Sequence, residues 1–275
     1  MSASTEESQD LHDRIEALVR EGALDDASAL AAELHPSDLA DVIEGLEEEQ
    51  QVLLLSALPV ELASDTLAEM EEGDERAHLL GALEPEKGAE LIEELPDDDA
   101  ADLMSELEPV EQQAILEALP DETADELIGL MQYGEETAGG LMTTDFVAVE
   151  GSLTAEEALA EVRRQGQEVE DFYTVFVVDA DGRLLGTLRL DDLVIADPDL
   201  GIERLVEEPV STVNPDEDQE RVGKLIARYN LASIPVVTPA GVLLGRITFD
   251  DVIDVIEAEQ TEDILRLAGI IDDDE

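Results

Sequence analysis

Apolar positions in the first half of the chain fall in short stripes punctuated by proline. Leu83-Glu-Pro, Leu95-Pro, Leu107-Glu-Pro and Leu119-Pro recur every 12 residues, and the stripe Leu95, Ala100, Leu103, Leu107 has helical spacing. Proline suits the first turn of a helix, where its missing N–H would be unpaired, and the acid beside it complements the helix dipole. The pattern predicts a stack of short helices, with earlier units at His35-Pro36 and Leu58-Pro59 and looser spacing at Met70. Helices this short bury their stripes only against neighbours, so residues 10–132 are expected to form a solenoid-like domain.

The rhythm breaks at residues 133–149, YGEETAGGLMTTDFVAV, where Gly134, Gly139 and Gly140 end the helical period and an extended segment follows. Residues 153–164 then read as an amphipathic helix with a capping box at Thr154 and Glu157, and residues 216–229 are its counterpart. VVDADGRLLGTLRLDD at 177–192 and VVTPAGVLLGRITFDD at 236–251 repeat each other at an offset of 59 residues. Each copy holds an apolar run, a turn with Gly182 or Gly241, a second apolar run through Gly186 or Gly245, and an Asp-Asp pair that opens a helix. A β-hairpin and helix occurring twice is a duplicated α/β module.

Charge changes the setting more than the fold. Asp and Glu number 73 against 14 Lys and Arg, a formal net charge of −59 spread along the whole length among well-patterned apolar positions. The chain is therefore expected to fold, and to need strong screening: at molar salt the Debye length falls to about 3 Å, which points to a halophile's cytoplasm. Nucleic acid and anionic lipid make poor partners, because both are bound by neutralising phosphates with Lys and Arg. Mg²⁺ and K⁺ make natural ones. Cysteine is absent, which excludes disulfides and thiolate metal sites. The opening MSASTEESQD has neither a basic region nor an apolar segment, and no run of about 18 apolar residues occurs, so no membrane insertion is expected.

Catalytic chemistry finds little support. His12, His35 and His78 are scattered through the helical half without zinc-site spacing or a nucleophile's partners. Carboxylates abound, but there is no Trp and few other aromatics to stack sugars, and residues 134–140 lack the Lys of a phosphate loop. The expected class is a binding or regulatory protein, not an enzyme.

The paired hairpin modules resemble a tandem pair of CBS domains. With the helical repeats, the linker YGEETAGGLMT and the closing DDVIDVIEAEQTEDILRLAGI, the chain resembles the cytosolic half of an MgtE-type magnesium channel. The resemblance implies an α plus α/β protein: a helical N-domain at 10–132, CBS modules at 133–200 and 201–254, and a connecting, plug-like helix at 255–271. It also implies a homodimer through the CBS modules, at the cytoplasmic face of the membrane. Where the family continues into five membrane helices, this sequence ends in IIDDDE, which reads as a complete short gene product: either a separate membrane subunit supplies the pore, or the sensor has been freed to serve another partner.

The family's parts form a Mg²⁺-sensing switch in which ions fill acidic clefts, compact the assembly and favour a closed pore. Carried over residue by residue, its metal positions fall on Asp65, Asp98 and Asp102; on Asp218, Glu220 and Asn230, with main-chain oxygens of Gly140 and Ala227; and on Asp251, Asp254, Glu259, Glu262 and Asp263. Asp65 stands where Glu is expected and Asn230 where Asp is expected. Acidic identity is common by composition, but EAEQTEDI at 257–264 also matches at Ala258, Thr261 and Ile264, which a charge bias does not explain. The CBS resemblance adds an adenine-nucleotide site, for ATP or AMP, at Thr248 and Asp251, with Arg189 and Asp192 as the poorer match in the first module. Thr248 equally suits the N-cap of the helix that follows. An interaction scaffold built on the solenoid is the remaining alternative.

Overall fold

The computed structural model describes residues 2–70, 73–134, 136–167, 169, 172–253 and 255–256. Its first half forms α1 (Ser2–Glu21), α2 (Leu24–Ala31), α3 (Pro36–Glu44), α4 (Glu48–Ala57), α5 (Val60–Ala68), α6 (Asp74–Gly81), α7 (Pro85–Glu94), α8 (Asp97–Glu106), α9 (Pro109–Ala118) and α10 (Asp121–Leu130). The 12-residue rhythm yields helices α7 to α10, each of 10 residues. The apolar residue that closes each repeat turns inward: Leu46, Leu58, Met70, Leu83, Leu95, Leu107 and Leu119 are all buried. Each such side chain contributes roughly 1.5–3 kcal/mol of apolar burial. The two proline spellings differ in place. Pro36, Pro85 and Pro109 occupy the first helical turn, whereas Pro59 and Pro96 are themselves the N-cap residues.

Helices α2 to α9 pack on their second neighbours, one rank running α3, α5, α7, α9 and the other α2, α4, α6, α8, so the stripes inside each rank find a partner on both sides. Polar side chains stitch neighbouring helices. Ser64 Oγ donates to the Leu91 carbonyl at 2.8 Å, and Gln112 Nε2 to that of Met104 at 2.8 Å.

One buried ion pair locks α6 to α8. Arg76 Nη2 and Nε reach the Glu106 carboxylate at 2.6 and 3.2 Å, with side chains 7% and 21% exposed. Breaking such a pair from one side leaves a buried charge uncompensated and costs about 3–5 kcal/mol, whereas replacing both partners by apolar groups is close to neutral. Urea unfolding at high KCl should therefore show a large loss of stability for Glu106→Ala and little for the double variant Arg76→Met, Glu106→Leu. Equal losses would mean that the contact carries no such asymmetry.

The second half forms β1 (Ala148–Glu150), α11 (Ala155–Gln165), β2 (Thr174–Val178), β3 (Leu184–Arg189), α12 (Leu190–Ile195), α13 (Gln219–Tyr229), β4 (Ser233–Val237) and β5 (Leu243–Thr248), with helix resuming at 249. α11 opens on the expected capping box, with the Thr154 hydroxyl and Glu157 carboxylate satisfying each other's backbone N–H groups. The two hairpins match in detail. β2 pairs antiparallel with β3 and β4 with β5, each with a register shift at the equivalent step, Val177/Val178 or Val236/Val237. Gly182 and Gly241 carry positive φ of 76° and 80° at the equivalent turns, the left-handed region that glycine enters without steric cost.

The modules exchange their lead segments. Thr143, upstream of the first module, forms a bridge with Arg246 on β5 of the second, and Glu207, upstream of the second, forms one with Thr187 on β3 of the first. Gly245 and Gly186 lie under these crossings: a Cβ on Gly245 would sit 2.5 Å from the Thr143 carbonyl oxygen, and one on Gly186 would overlap the Glu207 carbonyl. The hairpin tips also pair, Leu184 N–H to the Gly241 carbonyl at 2.9 Å and Leu243 N–H to that of Gly182 at 3.1 Å. Phe176, Val237 and Leu243 form a small core shared by both modules, with Phe146 edge-on to Phe176.

Candidate ligand groove and metal-ligating carboxylates

Strand β5 ends at the strongest candidate site. Thr248 is followed by a helix whose third residue is Asp251, and the Asp251 carboxylate accepts from the Thr248 N–H at 3.1 Å and from its hydroxyl. Nucleotide-type spacing and helix cap are therefore one arrangement, not alternatives. Burial pushes the Asp251 carboxyl above its ordinary range. The negative charge of Asp250 adds to the rise, while the Thr248 hydrogen bonds and the positive charge of Arg246 oppose it. A half-buried carboxylate of this kind is suited to hydrogen-bonding a hydroxyl such as a ribose OH.

The first module is different. Arg189 precedes α12 without capping it and is held bidentately by Asp191 at 2.7 and 3.0 Å, with Asp192 at 3.8 Å. These bonds from Arg189 hold the Asp191 carboxyl below the usual carboxylate range. The exposed guanidinium is thereby largely occupied by acids, which weakens the first module's claim on a phosphate.

Among the candidate metal ligands, the linker and α13 bring one group together. Asp218 caps α13 through its carboxylate to the Glu220 and Arg221 N–H groups. The linker docks beside it: Ala138 N–H donates to the Glu217 carbonyl at 2.7 Å, Gly139 N–H to that of Pro215 at 2.8 Å, and Thr137 bridges Asp218. Gly140 follows directly, while Glu220 pairs with Lys224 one turn along α13. Ala227 is exposed near the other end of the helix, which Asn230 terminates in the left-handed conformation with φ 51°. That conformation suits a short polar residue such as Asn, and a neutral side chain there avoids an anion at the negative end of the helix dipole.

In the helical unit Asp98 is buried and Asp102 half-buried, one turn apart on α8, while Asp65 is exposed on α5. Asp254, Glu259, Glu262 and Asp263 lie outside the described residues, as does the connecting helix expected at 255–271 beyond residue 256. Among the described residues, no three or more His, Asp or Glu side chains converge on a metal-sized position. The donors present are nevertheless hard oxygens, which fit Mg²⁺ and not a soft metal.

Sequence reading passed over two features here. Gly186 and Gly245 stood out as repeat landmarks, but their purpose, room for a crossing backbone, did not. Arg246 is the other, a cation inside the apolar run LLGRIT of a chain poor in cations.

Two hairpin–helix modules with exchanged lead segments, following a two-rank helical solenoid, define a protein of the CBS-pair class. The CBS domain family model matches residues 138–199 and 202–258, and the MgtE intracellular N domain model matches 34–136. The chain belongs to the MgtE family, of which it carries the intracellular N domain and the CBS pair. The magnesium transporter MgtE of Thermus thermophilus is 45% identical over 141 residues, 51% of this chain and 31% of that protein. The chain thus matches about a third of the length of such a curated relative. Among solved structures, the cytosolic domain of the Mg²⁺ channel MgtE in complex with ATP superposes with a TM-score of 0.84 at 36% identity, covering 89% of this chain and 99% of that one. The soluble part of a magnesium transporter does so with a TM-score of 0.82 at 30% identity, covering 92% and 99%. Among the described residues, no helix is long and apolar enough to cross a membrane.

Proposed function

We propose that this chain is the Mg²⁺-sensing regulatory part of a magnesium channel or transporter and has no catalytic role. The likeness to the cytosolic domain of a Mg²⁺ channel, over nearly the whole of both chains, carries the reading. Mg²⁺ held by carboxylates drawn from α8, the start of α13 and the segment after residue 251 neutralises anions that otherwise repel. It thereby favours a compact state that closes a membrane pore. The pore belongs to a membrane-embedded partner. The sensor works as a homodimer: Val194 on α12 and its repeat equivalent Ile253 are exposed apolar residues at matching positions, as a face shared by two copies requires.

A second ligand is proposed on a separate observation. The Thr248–Asp251 pair at the end of β5 offers a carboxylate able to accept from a ribose hydroxyl, and the related cytosolic domain was solved in complex with ATP. Small-angle scattering at fixed, high ionic strength tests both. Mg²⁺ should produce a saturable fall in the radius of gyration, weakened in Asp98→Asn with Asp102→Asn. ATP should bind without Mg²⁺-dependent compaction and be lost in Thr248→Ala. Absence of any Mg²⁺ response would overturn the sensing role, and a scaffold would respond to neither ligand.

A further inference from the structure

We propose that Gln165 is a built-in occupant of the first CBS module: its side-chain amide fills the backbone donor and acceptor that a planar ligand would use there, which confines nucleoside binding to the second module. The proposal rests on the nucleotide reading above and deepens it. β1 is the edge strand of its sheet, pairing with β2 on one side, and on its open side Ala148 presents both an N–H and a carbonyl. Gln165, the last residue of α11, takes both. Its Oε1 accepts from the Ala148 N–H at 2.9 Å and its Nε2 donates to the Ala148 carbonyl at 2.8 Å, while Nε2 also donates to the Glu161 carboxylate at 2.6 Å. A carboxylate only accepts, so Glu161 fixes which end of the amide is which.

The second module repeats this geometry without the plug. α11 and α13 are each 11 residues long, so Tyr229 stands where Gln165 does, and Val213 pairs with Val236 as Val149 pairs with Val177. Thr212 is therefore the counterpart of Ala148. It is exposed, and its backbone makes no hydrogen bond among the described residues. The single hydroxyl of Tyr229 cannot match a donor and an acceptor side by side as an amide does. In both modules this backbone pair lies two strands across and two residues back from the end of the hairpin, at Arg189 or Thr248. Ordinary strand spacing and rise make that about 12 Å, which suits a nucleoside held by its base at one end and its ribose at the other. A base edge and a primary amide share the adjacent donor and acceptor. Gln165 thus offers Ala148 what a base would offer.

Adenosine binding to the full chain in molar KCl, with hydrogen exchange read at Ala148, tests this; a neutral nucleoside avoids the acids around Arg189. The native chain should bind a single adenosine. Gln165→Met keeps the length of the side chain without its amide, and should bind a second one. Exchange at Ala148 should be about tenfold faster in that variant, the loss of one hydrogen bond, and adenosine should slow it again. If Gln165→Met does not fold, Gln165→Ala should behave likewise. Unchanged exchange at Ala148, or no protection of it by adenosine in either variant, would overturn the proposal, as would two sites in the native chain. The two readings fail separately. One site in native and variant alike overturns the plug and leaves the second-module site standing. Adenosine that protects Ala148 in the variant but does not bind the native chain overturns the second-module site and leaves the plug.

Discussion

Two methyl groups should remove a large part of the stability of the CBS unit while sparing the helical one. Gly186→Ala and Gly245→Ala each place a Cβ against a main-chain carbonyl of the crossing segment, at Glu207 and Thr143 respectively. A flexible side chain could swing aside, but these carbonyls belong to backbone already committed to a bridge. Thr143 N–H donates to the Arg246 carbonyl at 2.9 Å, and the Glu207 and Thr187 backbones exchange two bonds at 2.9 Å. Overpacking of this kind costs about 1–3 kcal/mol, and more where backbone must move. The two sites serve different bridges, so their costs should add to a sizeable share of the roughly 5–15 kcal/mol of a typical domain. Calorimetry should show a drop of roughly 3–9 °C for either single variant and about twice that for the double. Gly129→Ala is the control. A Cβ there meets nothing, and within α10 the change should stabilise by about 0.5–1 kcal/mol. Wild-type stability in the Gly186→Ala, Gly245→Ala double variant would refute the crossing.

These glycines also show what a sequence can reveal. The solenoid was legible because its signals are local: proline at or beside the N-cap and a leucine every 12 residues specify short helices that must stack. The hairpins were legible for the same reason, since Gly182 and Gly241 announce their turns. Exchange of the lead segments was not, because Thr143 and Arg246 are 103 residues apart and no local pattern connects them. The Thr248–Asp251 site was half legible. Thr248 and Asp251 stood out by spacing, whereas burial of Arg246 beside them depends on strands that meet only in the folded chain. Candidate metal ligands were the least legible, since acidic residues are so frequent that their presence at matching positions carries little information. Asn230 illustrates the converse: it meets a local demand, a short polar residue in the left-handed backbone that ends α13, which composition does not reveal.

Lowering salt should unfold this chain, the effect opposite to that expected of a protein held by ion pairs. The formal charge is −59 at pH 7, and the last turns of α7, α8, α9 and α10 carry no basic residue to offset it. Acids in the first turns, such as Asp97, Asp98 and Asp99 of α8, gain from the helix dipole, but like charges crowded into one turn also repel. Burial and the charges of Asp97 and Glu122 already push the Glu126 carboxyl above its ordinary range. Pairs such as Arg164–Glu161 and Arg183–Asp181 are exposed, so screening them sacrifices little. Screening the repulsion gains more, because the Debye length shrinks from about 10 Å at 0.1 M to about 3 Å at 1 M. The helical circular dichroism signal and the urea midpoint should therefore rise steadily with KCl across that range. At low salt, acidification should act in the same direction as added salt. A carboxyl with a raised folded-state pKa, as at Glu126, is protonated more readily folded than unfolded; its contribution is fully present below the ordinary carboxylate value and lost as pH rises through the folded one. A urea midpoint that is flat or falling with KCl would mean that apolar packing, not carboxylate repulsion, limits stability. Mg²⁺ at equal ionic strength would then have no repulsion to relieve, so this experiment also bears on the driving force of the proposed switch.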